Sequence, residues 1–118
     1  VFLPSDREVH TLTGLDCLEG SRELLTLGPE IVVCKMGEKG SLIVTAEEEI
    51  RIQARGARAV DKTGAGDVYA AGFLTGMLKG WTLRKCGEFA SKLAARSIEY
   101  YGREGYPERE DLEGYSER

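Results

Sequence analysis

The pattern of apolar and polar positions predicts two short helices at the beginning of the chain. Residues 5–8 have the S-x-x-E spacing of a capping box, in which a serine and a glutamate satisfy each other's backbone N–H groups. This spacing predicts a helix that runs to Thr13 and ends at Gly14. Asp16 precedes a second leucine-rich segment, which predicts another helix that ends near residues 28–29.

Three short strands are predicted next. Residues 31–36, IVVCKM, are a continuous β-branched run, which is typical of a strand buried on both faces. A glycine-containing turn at residues 37–40 leads into a second strand over residues 41–45. After an acidic tip at residues 46–49, apolar and polar side chains alternate over residues 50–54, as in a half-exposed strand.

Two helices are predicted in the second half of the chain. Residues 66–79 are apolar nearly all round, which predicts a buried helix. Thr82 caps the next helix, in which apolar residues recur at spacings of three and four up to Tyr101, before Gly102. Because helices and strands alternate, the fold class is α/β.

Length, charge and cysteine content exclude several classes of function. The 118 residues allow one domain, and because strands are few we expect at least one unpaired sheet edge. A net charge of −4 argues against nucleic-acid binding, which needs a clustered basic face. Apolar runs fall short of the roughly 18 residues that cross a bilayer, so we expect no membrane partner. Cys17, Cys34 and Cys86 are odd in number and lack CxxC spacing, which predicts reduced cysteines and a cytoplasmic location.

The segment with the strongest chemical signal is residues 61–67, DKTGAGD, directly before the buried helix. Gly64, Ala65 and Gly66 let the backbone turn sharply at a helix N-terminus, where free N–H groups and the helix dipole favour an anion. Asp67 can cap this helix, or it can take a proton from a hydroxyl that attacks a phosphoryl group held there. The spacing alone leaves open a glycine-rich helix start without any ligand. It is neither a Walker A loop nor a GxGxxG dinucleotide turn.

Three segments resemble motifs of the ribokinase-like (PfkB) carbohydrate kinases. DKTGAGD at residues 61–67, followed by AGF at 71–73, resembles the family's D-T-T/N-G-A-G-D motif and its A-G-F segment. KMGEKG at residues 35–40 resembles the G-x-x-G turn of the nucleotide site, and PSDRE at 4–8 with LTG at 12–14 resembles P-N-x-x-E and L-T-G. The resemblance covers essentially the whole chain. It implies that residues 1–118 form a single incomplete domain, the C-terminal part of a ribokinase-like three-layer α/β/α sandwich.

The resemblance implies an ATP-dependent phosphotransferase that moves the γ-phosphoryl of ATP to an alcohol group of a sugar or sugar derivative. Asp67 would be the general base, and Gly64, Ala65 and Gly66 would form the anion hole whose N–H groups stabilise the moving phosphoryl group. A nucleoside such as adenosine is the alternative substrate. The alternative of a different class is a stand-alone nucleotide-binding or interaction domain without catalytic activity.

The resemblance also implies ATP and Mg²⁺ as cofactors. Gly37 and Gly40 would let the backbone approach ATP, while Thr63 and Ser91 complete the nucleotide-binding set, with Ser91 in the adenine pocket. Glu8 would hold Mg²⁺ through water. Because Ser5 stands where the family usually has Asn, a plain capping box is the competing interpretation of Glu8.

Asp61 matches a position that, in some members of the family, contributes to a site for a monovalent cation such as K⁺. The expected partners are the sugar or a related alcohol, a homodimer partner, and an N-terminal half of the same polypeptide. In full-length relatives that half supplies most of the sheet, the lid and the sugar-contacting aspartate. We therefore expect the 118-residue chain alone to be inactive.

Overall fold

The computed structural model describes residues 1–54 and 65–99. The chain divides into two compact units, Val1–Ala54 and Arg55–Arg118. This division does not test the prediction of one incomplete domain over residues 1–118, which stays a prediction. The segments expected at residues 55–64 and after residue 99 lie outside the described residues.

Helix α1 (Asp6–Thr13) begins with the predicted capping box. The Ser5 hydroxyl accepts a hydrogen bond from the Glu8 N–H at 3.1 Å, and the Glu8 carboxylate accepts one from the Ser5 N–H at 2.7 Å. Gly14 ends the helix with a φ of +73°, and its N–H donates to the carbonyl of His10. The predicted beginning and end of this helix are both confirmed.

Helix α2 (Cys17–Leu25) packs closely against α1. Asp16 caps it by accepting a hydrogen bond from the Glu19 N–H at 2.9 Å. A Cβ at Gly20 would overlap the Val9 side chain, so the missing side chain allows the two helices to approach. The helix is confirmed, although it ends a few residues earlier than predicted.

The three predicted strands form an antiparallel sheet in chain order. They are β1 (Val32–Lys35), β2 (Ser41–Val44) and β3 (Glu49–Ile52). Burial alternates along β3, as the alternating sequence predicts, although the strand begins one residue earlier than expected. The β-branched side chains of β1 and β2 supply much of the core of this unit.

The first residues of the chain extend this sheet on the free side of β1. The Val33 N–H donates to the Phe2 carbonyl and the Lys35 N–H donates to the Pro4 carbonyl, both at 2.8 Å, in a parallel arrangement. This pairing places Ser5, directly before α1, beside Lys35, the last residue of β1. The start of α1 and the turn after β1 therefore lie at the same edge of the sheet.

Cys17 and Cys34 form a disulfide, so the prediction of reduced cysteines was wrong for this pair. Helix α2 packs on β1, and the bond joins the first residue of the helix to the strand, with the Cα atoms 6.2 Å apart. The pair is 17 residues apart, and this spacing carries no recognisable signature. Cys86 is free and buried, as predicted.

Helices α3 (Ala65–Leu78) and α4 (Leu83–Glu99) confirm the two helices predicted in the second half. They pack against each other at very short range, because a Cβ on Gly72 would lie 3.1 Å from the Cα of Ala90. Among the described residues, none of the helices combines the length and the apolar character that a bilayer-spanning segment needs.

One side of α3 is exposed, so the prediction of a buried helix was wrong for that side. Leu74 is 41% exposed and Leu78 is 90% exposed, whereas Val68 and Phe73 are buried. Apolar residues all round this helix indicate that other elements can pack against every side of it. The sequence does not indicate how many elements do so. In the structure, α4 packs against only part of the surface of α3.

Candidate active site

Asp67 lies in the first turn of α3, together with Ala65 and Gly66. The N–H groups of a helix's first turn have no acceptor within the helix, and the positive end of the helix dipole lies there. The Asp67 side chain is exposed, and its carboxylate accepts no hydrogen bond from another described residue. A free carboxylate beside free amide donors can deprotonate a hydroxyl while the amides hold an anion.

The turn after β1 is a short 3₁₀ turn, Gly37–Lys39, closed by three backbone hydrogen bonds, one of them from the Lys39 N–H to the Met36 carbonyl at 3.1 Å. The Gly40 N–H donates to the Gly37 carbonyl at 3.1 Å, and the Met36 N–H donates to the Gly40 carbonyl at 2.8 Å. The N–H groups of Gly37 and Glu38 donate to no acceptor within residues 1–54 and 65–99. The turn therefore offers two amide donors at the sheet edge where α1 begins.

Gly40 has a structural role that the motif comparison did not reveal. Its φ of +91° lies in the region that favours glycine, and a Cβ there would overlap the carbonyl oxygen of Ile52. The same Cβ would lie 2.9 Å from the backbone nitrogen of Ala54. Packing against the end of β3 thus already requires a glycine, and the expected approach of Gly40 to ATP stays a prediction.

Glu8 is held as the capping-box partner of Ser5, which confirms the structural interpretation of this residue. Hydrogen bonds involving Ser5 hold the pKa of Glu8 below its ordinary value, and the positive charge of Lys35 adds a smaller effect in the same direction. The bond from the Ser5 N–H uses one carboxylate oxygen, Oε1, and no other described residue donates to Oε2. That oxygen fits a metal-bound water, as the predicted Mg²⁺ role requires.

Metal-binding side chains are otherwise dispersed in the part of the chain that the structure describes, where no three His, Cys, Asp or Glu side chains group together. The predicted role of Mg²⁺ stays a prediction.

Replacing Glu8 with glutamine should make the stability of the protein less dependent on pH in the acid range. Because the folded-state pKa is lowered, the ionised carboxylate stabilises the fold above its ordinary pKa of 4.5. That contribution is lost as the pH falls through the lower folded-state value. Urea unfolding at about pH 7 and about pH 3 measures the difference. An unchanged pH dependence in Glu8→Gln would contradict the prediction, and Glu23→Gln, exposed on α2, is the control.

The other predicted site residues lie in the second unit or outside the described residues. Ser91 is buried in α4, and its role in the adenine pocket stays a prediction. Asp61, Thr63 and Gly64 lie outside the described residues. The structure thus brings Glu8 and the glycine turn to one edge of the sheet in the first unit, whereas Asp67 and Ser91 belong to the second unit.

Lys35 is a residue of this edge to which the sequence analysis gave no role. It ends β1 beside Ser5, and its charge acts on the carboxylate of Glu8. A cation next to two free amides favours an anionic ligand. One sequence signal could have indicated a role for Lys35: a lysine follows a buried apolar run and comes shortly before the glycine turn.

Comparison with known proteins decides the family. The family model described as pfkB family carbohydrate kinase matches residues 1–109. The chain belongs to this family. It is 38% identical over 112 residues to an uncharacterized sugar kinase of Archaeoglobus fulgidus, covering 94% of this chain and 45% of that protein. It is 44% identical over 85 residues to a nucleoside kinase of Methanothermobacter thermautotrophicus, covering 72% of this chain and 26% of that protein.

Solved structures agree with this assignment. The structure of Arabidopsis thaliana ribokinase complexed with ribose and ATP matches with a TM-score of 0.85 and 27% sequence identity, over 98% of this chain and 40% of that one. The predicted fold class is confirmed, since the pfkB chain has part of a ribokinase-like α/β fold. It spans less than half the length of these relatives. At the level of the family, the chain is related to kinases of sugars and nucleosides.

Proposed function

We propose that the chain is the nucleotide-binding and catalytic-base part of an ATP-dependent phosphotransferase acting on an alcohol group of a sugar or sugar derivative. The observation that carries the proposal is the exposed Asp67 in the first turn of α3, in a chain of the pfkB family. A nucleoside such as adenosine is the second candidate substrate. The 44% identity to a nucleoside kinase favours it.

In the proposed reaction, the Asp67 carboxylate takes the proton of the acceptor hydroxyl while the hydroxyl oxygen forms a bond to the γ-phosphorus of ATP. The bond from that phosphorus to the bridging oxygen breaks, and ADP leaves. The N–H groups of Gly64, Ala65 and Gly66 stabilise the charge on the transferred group. Donors preorganised in this way are typically worth about 2.7–4 kcal/mol each.

Several residues are proposed to contact the nucleotide. The free amides of Gly37 and Glu38 and the nearby charge of Lys35 suit the phosphates of ATP. Thr63 and Ser91 complete the nucleotide-binding set. Mg²⁺ would neutralise phosphate charge, and Glu8 would hold it through water with the carboxylate oxygen that the Ser5 N–H leaves free. Asp61 contributes to a site for a monovalent cation such as K⁺.

The proposal places the groups that bind the acceptor in a further part of the same polypeptide, since the relatives are more than twice as long as the region matched. The 118-residue chain alone would then lack turnover. We also propose a cytoplasmic location and assembly as a homodimer. The contrasting proposal is a stand-alone domain that binds nucleotide or another protein without chemistry.

The test is a transfer assay with the complete polypeptide that contains this chain. It is incubated with ATP, Mg²⁺ and one alcohol at a time, with ribose, fructose, adenosine and cytidine as acceptors. ADP release and the mass of the acceptor are followed together. Phosphorylation of a sugar supports the proposal, and phosphorylation of nucleosides alone supports the second substrate class. Binding of an ATP analogue without transfer to any alcohol would favour the domain without chemistry.

A further inference from the structure

Arg51 connects β3 to the turn Gly37–Lys39 through its side chain. The guanidinium donates a hydrogen bond from Nη2 to the Lys39 carbonyl at 3.4 Å, although the two residues are 12 positions apart in the sequence. Arg51 is exposed, and in the sheet it lies directly across from Leu42 of β2. The sequence analysis gave Arg51 no role, because its position fits the ordinary alternation of a half-exposed strand.

Strand β3 contacts the turn at two consecutive positions. At one of them the backbone of the turn packs against the end of the strand, since a Cβ on Gly40 would overlap the Ile52 carbonyl oxygen. At the other, the Arg51 side chain binds the carbonyl of Lys39. A 3₁₀ turn has poorer hydrogen-bond geometry than an α-helix, so a bond from outside the turn has more effect on its conformation. The strand therefore holds the turn by packing and by one directed hydrogen bond.

The same turn provides the amide donors of the candidate site. The N–H groups of Lys39 and Gly40 are used by backbone carbonyls at the turn, and the carbonyl of Lys39 is used by Arg51. The N–H groups of Gly37 and Glu38 have no acceptor in the part of the chain that the structure describes. Because each peptide group is planar, the backbone dihedral angles of the turn set the direction of these two N–H groups.

We propose that Arg51 is a positioning residue for the phosphoryl donor. It acts through the Lys39 carbonyl, and by holding the turn it keeps the amides of Gly37 and Glu38 directed at the phosphates of ATP. The guanidinium itself need not touch the nucleotide. This inference rests on the proposed function, because it assigns a role within the nucleotide-binding part of the same site.

The test compares two variants of the complete polypeptide that contains this chain. Arg51→Met keeps a long side chain across from Leu42 but cannot donate a hydrogen bond, whereas Arg51→Lys keeps a donor. Calorimetry with a non-hydrolysable ATP analogue gives the dissociation constant, and the transfer assay gives KM for ATP and kcat. Arg22→Met is the matched control, because Arg22 is also exposed and also binds β3, through its ion pair with Glu49, which lies outside the turn.

Arg51→Met should weaken ATP binding and raise KM for ATP by about two- to fivefold, because a long, exposed hydrogen bond has a small net effect. The kcat should change little, since the proposed proton transfer depends on Asp67. Arg51→Lys should regain part of the lost affinity, and Arg22→Met should bind ATP like the wild type. All three variants should unfold at nearly the wild-type urea concentration, because both arginines are exposed.

High salt separates this positioning role from simple attraction between the guanidinium and the phosphates. At about 0.3 M salt the Debye length falls to roughly 5–6 Å, so attraction between distant charges is largely screened. A hydrogen bond between groups in direct contact persists under these conditions. The ratio of the dissociation constants of Arg51→Met and the wild type should therefore stay about the same in low and high salt.

Three results would overturn the inference and leave the proposed function intact. They are unchanged ATP affinity in Arg51→Met, a difference that disappears in high salt, and a lower unfolding midpoint with wild-type KM. A wild-type protein that binds no ATP analogue and transfers nothing would overturn the inference and the proposed function together. If the wild type binds the analogue but transfers to no alcohol, the proposed chemistry fails, and the dissociation constants alone decide the role of Arg51.

Discussion

Replacing Asp67 with asparagine should lower phosphoryl transfer by the complete polypeptide by about 10²–10⁴-fold, with little change in its affinity for ATP. Asparagine has nearly the shape of aspartate but cannot take the proton of the acceptor hydroxyl. Asp67 is exposed and accepts no hydrogen bond from another described residue, so the substitution leaves the packing of α3 intact. Surface substitutions of this kind usually change stability by no more than about 0.5 kcal/mol.

The measurement pairs the rate of product formation with calorimetric binding of a non-hydrolysable ATP analogue. Glu88→Gln is the matched control, because it removes an exposed carboxylate from α4 in the same unit and should retain full turnover. Full turnover in Asp67→Asn would contradict the role of Asp67 as the base. Equal loss of nucleotide binding and turnover would show that the substitution changes the shape of the site rather than the proton transfer.

Replacing Gly40 with alanine should destabilise the first unit strongly, by about 2–5 kcal/mol. Two effects add at this position. The φ of +91° disfavours any residue with a Cβ, and the new methyl group would overlap the carbonyl oxygen of Ile52. Relief of this overlap requires a shift of the backbone at the end of β3, because neither of the closest atoms belongs to a flexible side chain.

Gly14→Ala is the matched control for this overlap. Gly14 also has a positive φ, +73°, but a Cβ there would meet no atom within 4 Å. Only the backbone cost remains, so we expect a loss of about 1–2 kcal/mol. Urea unfolding of both variants gives the two values. Similar losses in both variants would contradict the claim that contact with β3, rather than backbone conformation alone, requires a glycine at position 40.

The local features of the fold could be predicted because each depends on residues close together in the sequence. The capping box joins Ser5 and Glu8, three positions apart, and Gly14 ends α1 through its own backbone conformation. The alternation of apolar and polar side chains in β3 likewise reflects a single strand with one buried face. The motif at residues 61–67 is local in the same sense, and the roles proposed for its residues stay predictions.

The features that could not be predicted depend on contacts between distant segments. Nothing near Cys17 indicates that Cys34 lies across from it, because the pairing follows from the packing of α2 on β1. The contact of Gly40 with Ile52 depends on the path of β3, and a glycine in a turn motif looks the same whether a ligand or a strand requires it. The apolar residues of α3 similarly did not reveal that Leu74 and Leu78 are exposed.

The close contact of α3 and α4 limits how the proposed base can move. Gly72 brings the backbones of the two helices so near that a methyl group would already press on Ala90. Sliding one helix along the other would drive larger side chains into this gap, and densely packed surfaces resist such displacement. Asp67 is therefore carried by a helix whose position along α4 is fixed by this contact, five residues further along α3.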